Sequence, residues 1–141
     1  MSMSKGIKEI KDRGRVIAIA YSKSINPDGI QFFTPGSYPL QIGLHNYPRT
    51  GKRVPAHFHP HLKYNVKNTQ EFLYVEKGVV DVIVYNLKWQ KKAKLKLSAG
   101  DSVLFVDCGH EVIFHKGSRM MEVKQGPYPG DKKAKIFRDK K

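Results

Sequence analysis

Hydrophobic positions in this chain recur every two residues far more often than every three or four. Arg15–Tyr21 (RVIAIAY) is rich in β-branched residues and free of glycine and proline, as a buried strand requires. Asn26-Pro-Asp-Gly29 is a strong turn signal, residues 30–33 predict a short strand, and Thr34-Pro-Gly36 turns again. Leu40, Ile42 and Leu44 alternate with Gln41 and Gly43, a period of two. Residues 48–51 read as a loop. Residues 71–76 and Val79–Tyr85 flank Lys77-Gly78, which predicts a compact hairpin. Ala93, Leu95 and Leu97 alternate with Lys94 and Lys96, a half-exposed strand, and Ser98-Ala-Gly-Asp101 turns. Three further strands are predicted at 103–106, 112–114 and 120–123. Only residues 4–13 offer a helix, and Gly6 and Gly14 limit it.

Many short strands separated by regular turns make the chain all-β, as a sandwich or a closed barrel. A jelly-roll barrel is the preferred architecture. With 141 residues and no repeat or internal linker, one domain is expected. We divide it into an N-terminal segment (1–14), a β-barrel (15–128) and a basic C-terminal tail (129–141).

Composition changes this picture in two respects. Twenty-six Lys and Arg against twelve Asp and Glu give a net charge of +14, a field that attracts anions. Lysines crowd the N-terminus (Lys5, Lys8, Lys11), the stretch from Lys88 to Lys96 and the tail from Lys132 to Lys141. Beside a turn they keep strand edges soluble. There is no recognition-helix pattern, zinc-finger spacing or RNA-binding sheet signature, so no specific nucleic acid is expected. The single cysteine, Cys108, excludes an internal disulfide. No apolar run approaches a membrane span, and the first residues lack the apolar stretch of a secretory signal. A cytoplasmic setting is the expectation.

Candidate chemistry begins with the histidines. Four of the six lie close together: His45, His57, His59 and His61. His57-Phe58-His59 is an i, i+2 pair, which on a strand turns both imidazoles to one face, close enough to grip one ion. Gly51 precedes His57 by five intervening residues. Glu71 is followed by six residues and Gly78, and further on come Gly100-Asp101 and Gly109-His110. His45 and His61 read as loop or surface residues, Cys108 as a small buried hydrophobe, and Trp89 as cover for apolar surface near a turn.

These segments resemble the two motifs of the cupins. The first cupin motif runs Gly, five residues, His-x-His, a short gap, Glu, six residues, Gly. Gly51, His57, His59, Glu71 and Gly78 reproduce both outer spacings. The second runs Gly, a strand, Pro-x-Gly and a His; Gly100, Gly109 and His110 fit that outline. The resemblance covers about residues 40–125. It implies a single-domain cupin jelly roll holding one divalent transition metal (Fe, Mn, Ni, Zn or Cu) on His57, His59, Glu71 and His110, with His115 in reserve for the last position. Three departures stand out. Eleven residues separate His59 from Glu71, where cupins have three or four, so residues 60–69 read as a loop inserted at the barrel mouth. Asp107 replaces the usual proline, and the usual terminal asparagine is missing. The ending Glu122-Val-Lys-Gln-Gly-Pro-Tyr128 is similar to that of short cupins associated with surface-polysaccharide biosynthesis.

The resemblance implies a metal-binding cupin acting on a small anionic or carbohydrate-type molecule in the barrel mouth. It leaves open whether the chain is an isomerase, an epimerase, an oxygenase or no enzyme. Lys52 and Arg53, just ahead of His57, are candidate charge complements for that molecule, with Tyr64 as a further contact and Gln41 as a supporting one. Two alternatives stand beside this reading. One is a metal-free sugar-nucleotide isomerase or epimerase using His59 and Tyr74. The other is a non-catalytic binding module. A homodimer is expected, with Arg15–Tyr21 as the strand available for pairing.

Overall fold

A computed structural model of the protein describes residues 6–139. The expectations for Lys5, Lys140 and Lys141 lie outside them. The described residues form ten strands and one short helix. The strands are β1 (Ile7–Asp12), β2 (Arg15–Tyr21), β3 (Gly29–Phe32), β4 (Gly43–Asn46), β5 (Glu71–Lys77), β6 (Val79–Tyr85), β7 (Lys91–Ser98), β8 (Ser102–Phe105), β9 (Gly109–Phe114) and β10 (Arg119–Lys124). The helix, α1, is Asp131–Ala134 in the basic tail. No helix among them is long and apolar enough to cross a membrane. The protein is therefore all-β, and the chain divides into two compact units, the smaller being Asn26–Asn68.

The larger unit holds two antiparallel sheets, of order β1-β2-β8-β5-β10 and β7-β6-β9. Neither closes on itself among the described residues. Directly opposed residues share a face, so the register defines what each sheet turns inward. Ala18 and Glu71 both oppose Phe105, and Ala20 and Leu73 both oppose Val103. In the smaller sheet Val80 and Val82 oppose Leu97 and Leu95. These inward positions, with Val75, Val84 and Ile10, form one buried cluster. The outward positions of β7 are Lys94 and Lys96, so its alternation places hydrocarbon on the core and ammonium groups in water. Each buried Leu or Val stabilises the unit by roughly 1.5–3 kcal/mol over exposure.

Three sequence expectations are corrected here. Residues 7–12 are a strand, not part of a helix. Ile10 opposes Ala18 and is buried, with a register shift after it; pairing with β2 overrides a weak local preference. Lys77-Gly78 is not a hairpin, because β5 and β6 belong to different sheets. The chain crosses between sheets at Gly78, whose φ of 78° and close approach to the Ser118 backbone leave no room for a Cβ. Leu40 and Ile42 lie outside the ladder, and the strand is Gly43–Asn46. Gln41 instead closes the preceding loop, donating to the Pro35 and Tyr38 carbonyls at 2.9 and 2.8 Å and accepting from Thr34.

The smaller unit is built on the β3–β4 pair, where the Phe32 ring covers Gly43. Asn46 donates to the Asn26 side chain and the Pro27 carbonyl, both at 2.7 Å, and Arg49 pairs with Asp28. Residues 51–69 carry no strand and are exposed throughout. Pro55 and Pro60 bracket the His57-x-His59 pair, and each removes a ladder donor. The expected strand at His57-Phe58-His59 is thus replaced by irregular backbone.

Candidate functional site

One rim of the larger unit places Glu71 and His110 on the faces that carry the buried cluster. Glu71 opens β5 with the parity of Leu73 and Val75, so its side chain turns between the sheets. Phe105 lies opposite it on β8, and Lys124 opposite it on β10. His110 enters from the smaller sheet, opposite Val84 and on that sheet's inward face. Glu71 Oε2 and His110 Nε2 meet at 3.5 Å. The imidazole stacks on the Phe105 ring, centroids 3.8 Å apart and planes 5° apart, which fixes its orientation. Its Nδ1 is buried with no hydrogen-bond partner among the described residues, a costly state for a polar atom.

Glu122 joins this pair from β10, in register with Leu73 and so on the same inward face. Burial pushes the Glu71 carboxyl up, but the contacts with His110 and Glu122 outweigh it and bring the group to about 2. Glu122 moves the other way. Its hydrogen bond to Glu71, then burial, raise it above the usual carboxylate range. Two carboxyls at one site cannot both ionise freely, and here Glu122 is the one that keeps a proton longer. Lys124 Nζ lies 3.4 Å from Glu122 and partly offsets the charge. Cys108 sits half-buried on the loop between β8 and β9. Burial, then the charges of Asp107 and Glu71, push its thiol up to about 12, so it is a packing residue and not a nucleophile.

Gly109 has a reason to precede His110. A Cβ there would lie 2.8 Å from the Trp89 ring, which packs over this backbone. His115, the reserve ligand, is bound to Asp81 at 2.7 Å. Tyr74 has the opposite parity to Glu71 on β5 and is exposed, so it does not share this rim.

The other sequence candidates lie in the smaller unit. His57 and His59 keep their rings within 5.2 Å in a T-shaped contact despite the loss of a strand. His57 Nδ1 donates to the Pro55 carbonyl at 2.7 Å, which leaves Nε2 free as a ligand atom, the arrangement common in metal-binding histidines. His45 Nδ1 lies 3.3 Å from the Tyr47 hydroxyl. Lys52, Arg53 and Tyr64 are exposed on the irregular segment.

Sequence reasoning missed Glu122 and Phe105 as partners of Glu71 and His110. The signal was present for Glu122: β10 reads RMMEVK, and Glu122 and Lys124 share the parity of Met120, which packs on the core. Among the described residues no group of three or more His, Cys, Asp or Glu side chains stands in metal-holding geometry. Glu71 and His110 supply two donors, an ionised carboxylate and the imidazole Nε2 that faces it, and this chemistry fits a borderline divalent ion. Comparison of the chain with protein-family models, curated proteins and solved structures finds no match.

Proposed function

We propose that this protein is a small jelly-roll cupin that holds one divalent transition metal, Fe, Mn, Ni, Zn or Cu. On this reading it acts on a small anionic or carbohydrate-type molecule, as a cytoplasmic homodimer. The observation that carries the reading is the Glu71–His110 contact at 3.5 Å. The resemblance to the cupins implies that these two residues share one ion, and they meet on one rim. The depressed Glu71 carboxyl supports it, because a ligand carboxylate must be ionised. The resemblance adds His57 and His59 to the ligand set. A bound ion would supply Lewis-acid polarisation of a substrate oxygen or a bound water.

Elemental analysis of purified protein, followed by reconstitution with each of the five metals, tests this. About one ion per chain is expected, lost in His110→Ala and Glu71→Gln while the fold melts cooperatively. His57→Ala and His59→Ala are measured separately, and retained occupancy in both removes them from the ligand set. Failure of the folded wild type to take up any of the five metals overturns the reading.

A second reading is a metal-free isomerase or epimerase, for which the rim offers a hydrogen-bonded carboxyl pair, Glu71 and Glu122, in place of the expected His59 and Tyr74. A chelator-treated protein stabilised by a nucleotide sugar such as UDP-glucose, with Glu122→Gln abolishing the shift, favours it.

A further inference from the structure

Two hairpin turns of the larger unit stand side by side, and each contains a non-glycine residue in the left-handed region. Arg13, between β1 and β2, has φ 51°, and Trp89, between β6 and β7, has φ 64°. The Arg13-Gly14 loop has two residues, the geometry that favours Asn-Gly. An arginine there is conformationally disfavoured, so its side chain needs another reason. Between the turns lies a cavity of about 190 Å³. Its lining is mostly apolar, with Ile17 and Leu87 in the wall, and Arg13, Arg15 and Lys88 border it. Its two carboxylates are already compensated. Asp12 binds Lys92 at 3.1 Å, and Asp107 lies 3.4 Å from Arg15. Arg13 and Lys88 have no comparable partner among the described residues, so the lining carries excess positive charge. None of Glu71, Glu122 or His110 lines it.

We propose that this cavity binds the phosphate group of a small phosphate monoester. With Arg15 held by Asp107, the Arg13 guanidinium and the Lys88 ammonium suit a multi-oxygen anionic head better than a single carboxylate. Leu87, 69% exposed, and the buried Ile17 offer a surface for the ester's carbon portion. The volume falls below the roughly 300–1,000 Å³ of pockets for drug-sized ligands, so the occupant is small. The nearby lysines of β7 and β1 raise its local concentration electrostatically.

Trp89, the single tryptophan of the chain, adjoins Lys88 and reports on the cavity by its fluorescence. The 141-residue protein is titrated with glycerol phosphate, with glycerol, inorganic phosphate and a short single-stranded oligodeoxynucleotide as comparators, and binding is confirmed by calorimetry. Saturable binding of one glycerol phosphate per chain is expected, with glycerol silent. Arg13→Gly and Lys88→Gln should each weaken it about tenfold or more. Arg13→Gly should also melt at or above the wild-type temperature, because glycine is at ease at that φ; a binding loss there cannot come from misfolding. Unchanged affinity in both variants overturns the proposal. So does saturation by the oligonucleotide alone, which assigns the charge to a polymer surface. Metal occupancy should be untouched in both variants, so this site and the Glu71–His110 centre fail or stand separately.

Discussion

Replacing Asp101 should remove a large share of the stability of the larger unit. Its carboxylate is 3% exposed and accepts three hydrogen bonds: from the Lys23 N–H at 2.8 Å, the Ser98 N–H at 3.0 Å and the Ser98 hydroxyl at 3.2 Å. It thereby ties the segment after β2 to the turn where the chain crosses from β7 to β8. Asp101→Ala leaves two backbone N–H groups without an acceptor, at about 1–3 kcal/mol each. The central expectation is a loss of about 4 kcal/mol, a large part of the 5–15 kcal/mol of an ordinary domain. At roughly 3 °C per kcal/mol for a chain of this length, the melting temperature falls by about 12 °C. Asp101→Asn removes the same charge but keeps one oxygen for Lys23 and turns an NH₂ against the Ser98 donor, so it should lose roughly half as much. Thermal and urea unfolding followed by circular dichroism measure both. An Asp101→Ala protein melting within about 3 °C of wild type would show that those donors find other acceptors, and the reasoning from buried donors would fail.

The remaining predictions concern reactivity, acid stability and packing. Cys108, with its thiol pushed up to about 12, should react with a thiol reagent at mildly alkaline pH about a thousandfold more slowly in the native protein than in urea; equal rates would contradict its burial. Asp81 is held below the usual carboxylate range first by its hydrogen bond to His115, against a smaller opposing effect of burial. A carboxyl lowered in the folded state stabilises above its unfolded pKa and loses that contribution as pH falls through the folded value. Wild type should therefore out-melt Asp81→Asn near neutral pH, with the gap closing as pH falls through and below the ordinary carboxylate range; a gap constant on acidification refutes the assignment. Leu73→Ala, at a position with no exposure, should cost about 2–5 kcal/mol in chemical denaturation, and a loss under 1 kcal/mol would place Leu73 outside a packed core.

Much of the strand content was legible because alternation is a local property. Val79–Tyr85 and the Lys-alternating β7 declare their inward and outward faces residue by residue, and the structure follows them. The resemblance to the cupin motifs named Glu71 and His110, and these two lie 3.5 Å apart. Local pattern is blind to partners. Residues 7–12 became a strand because β2 offered an edge, and nothing within those six residues encodes that edge. Lys77-Gly78 looks the same in sequence whether the next strand folds back or crosses to another sheet; the backbone of Ser118 pressed against Gly78 belongs to the crossing. The irregular backbone around His57 and His59 follows from two prolines that were visible but outweighed by the motif. Glu122 and Phe105 became parts of the rim only when register set them beside Glu71 and His110. The sequence alone determined the alternation of strands such as β6 and β7 and the side-chain types available for chemistry, because both are local properties of the chain. Tertiary structure decided which of them meet, and with what shift in protonation, because strand pairing joins residues that the chain holds far apart.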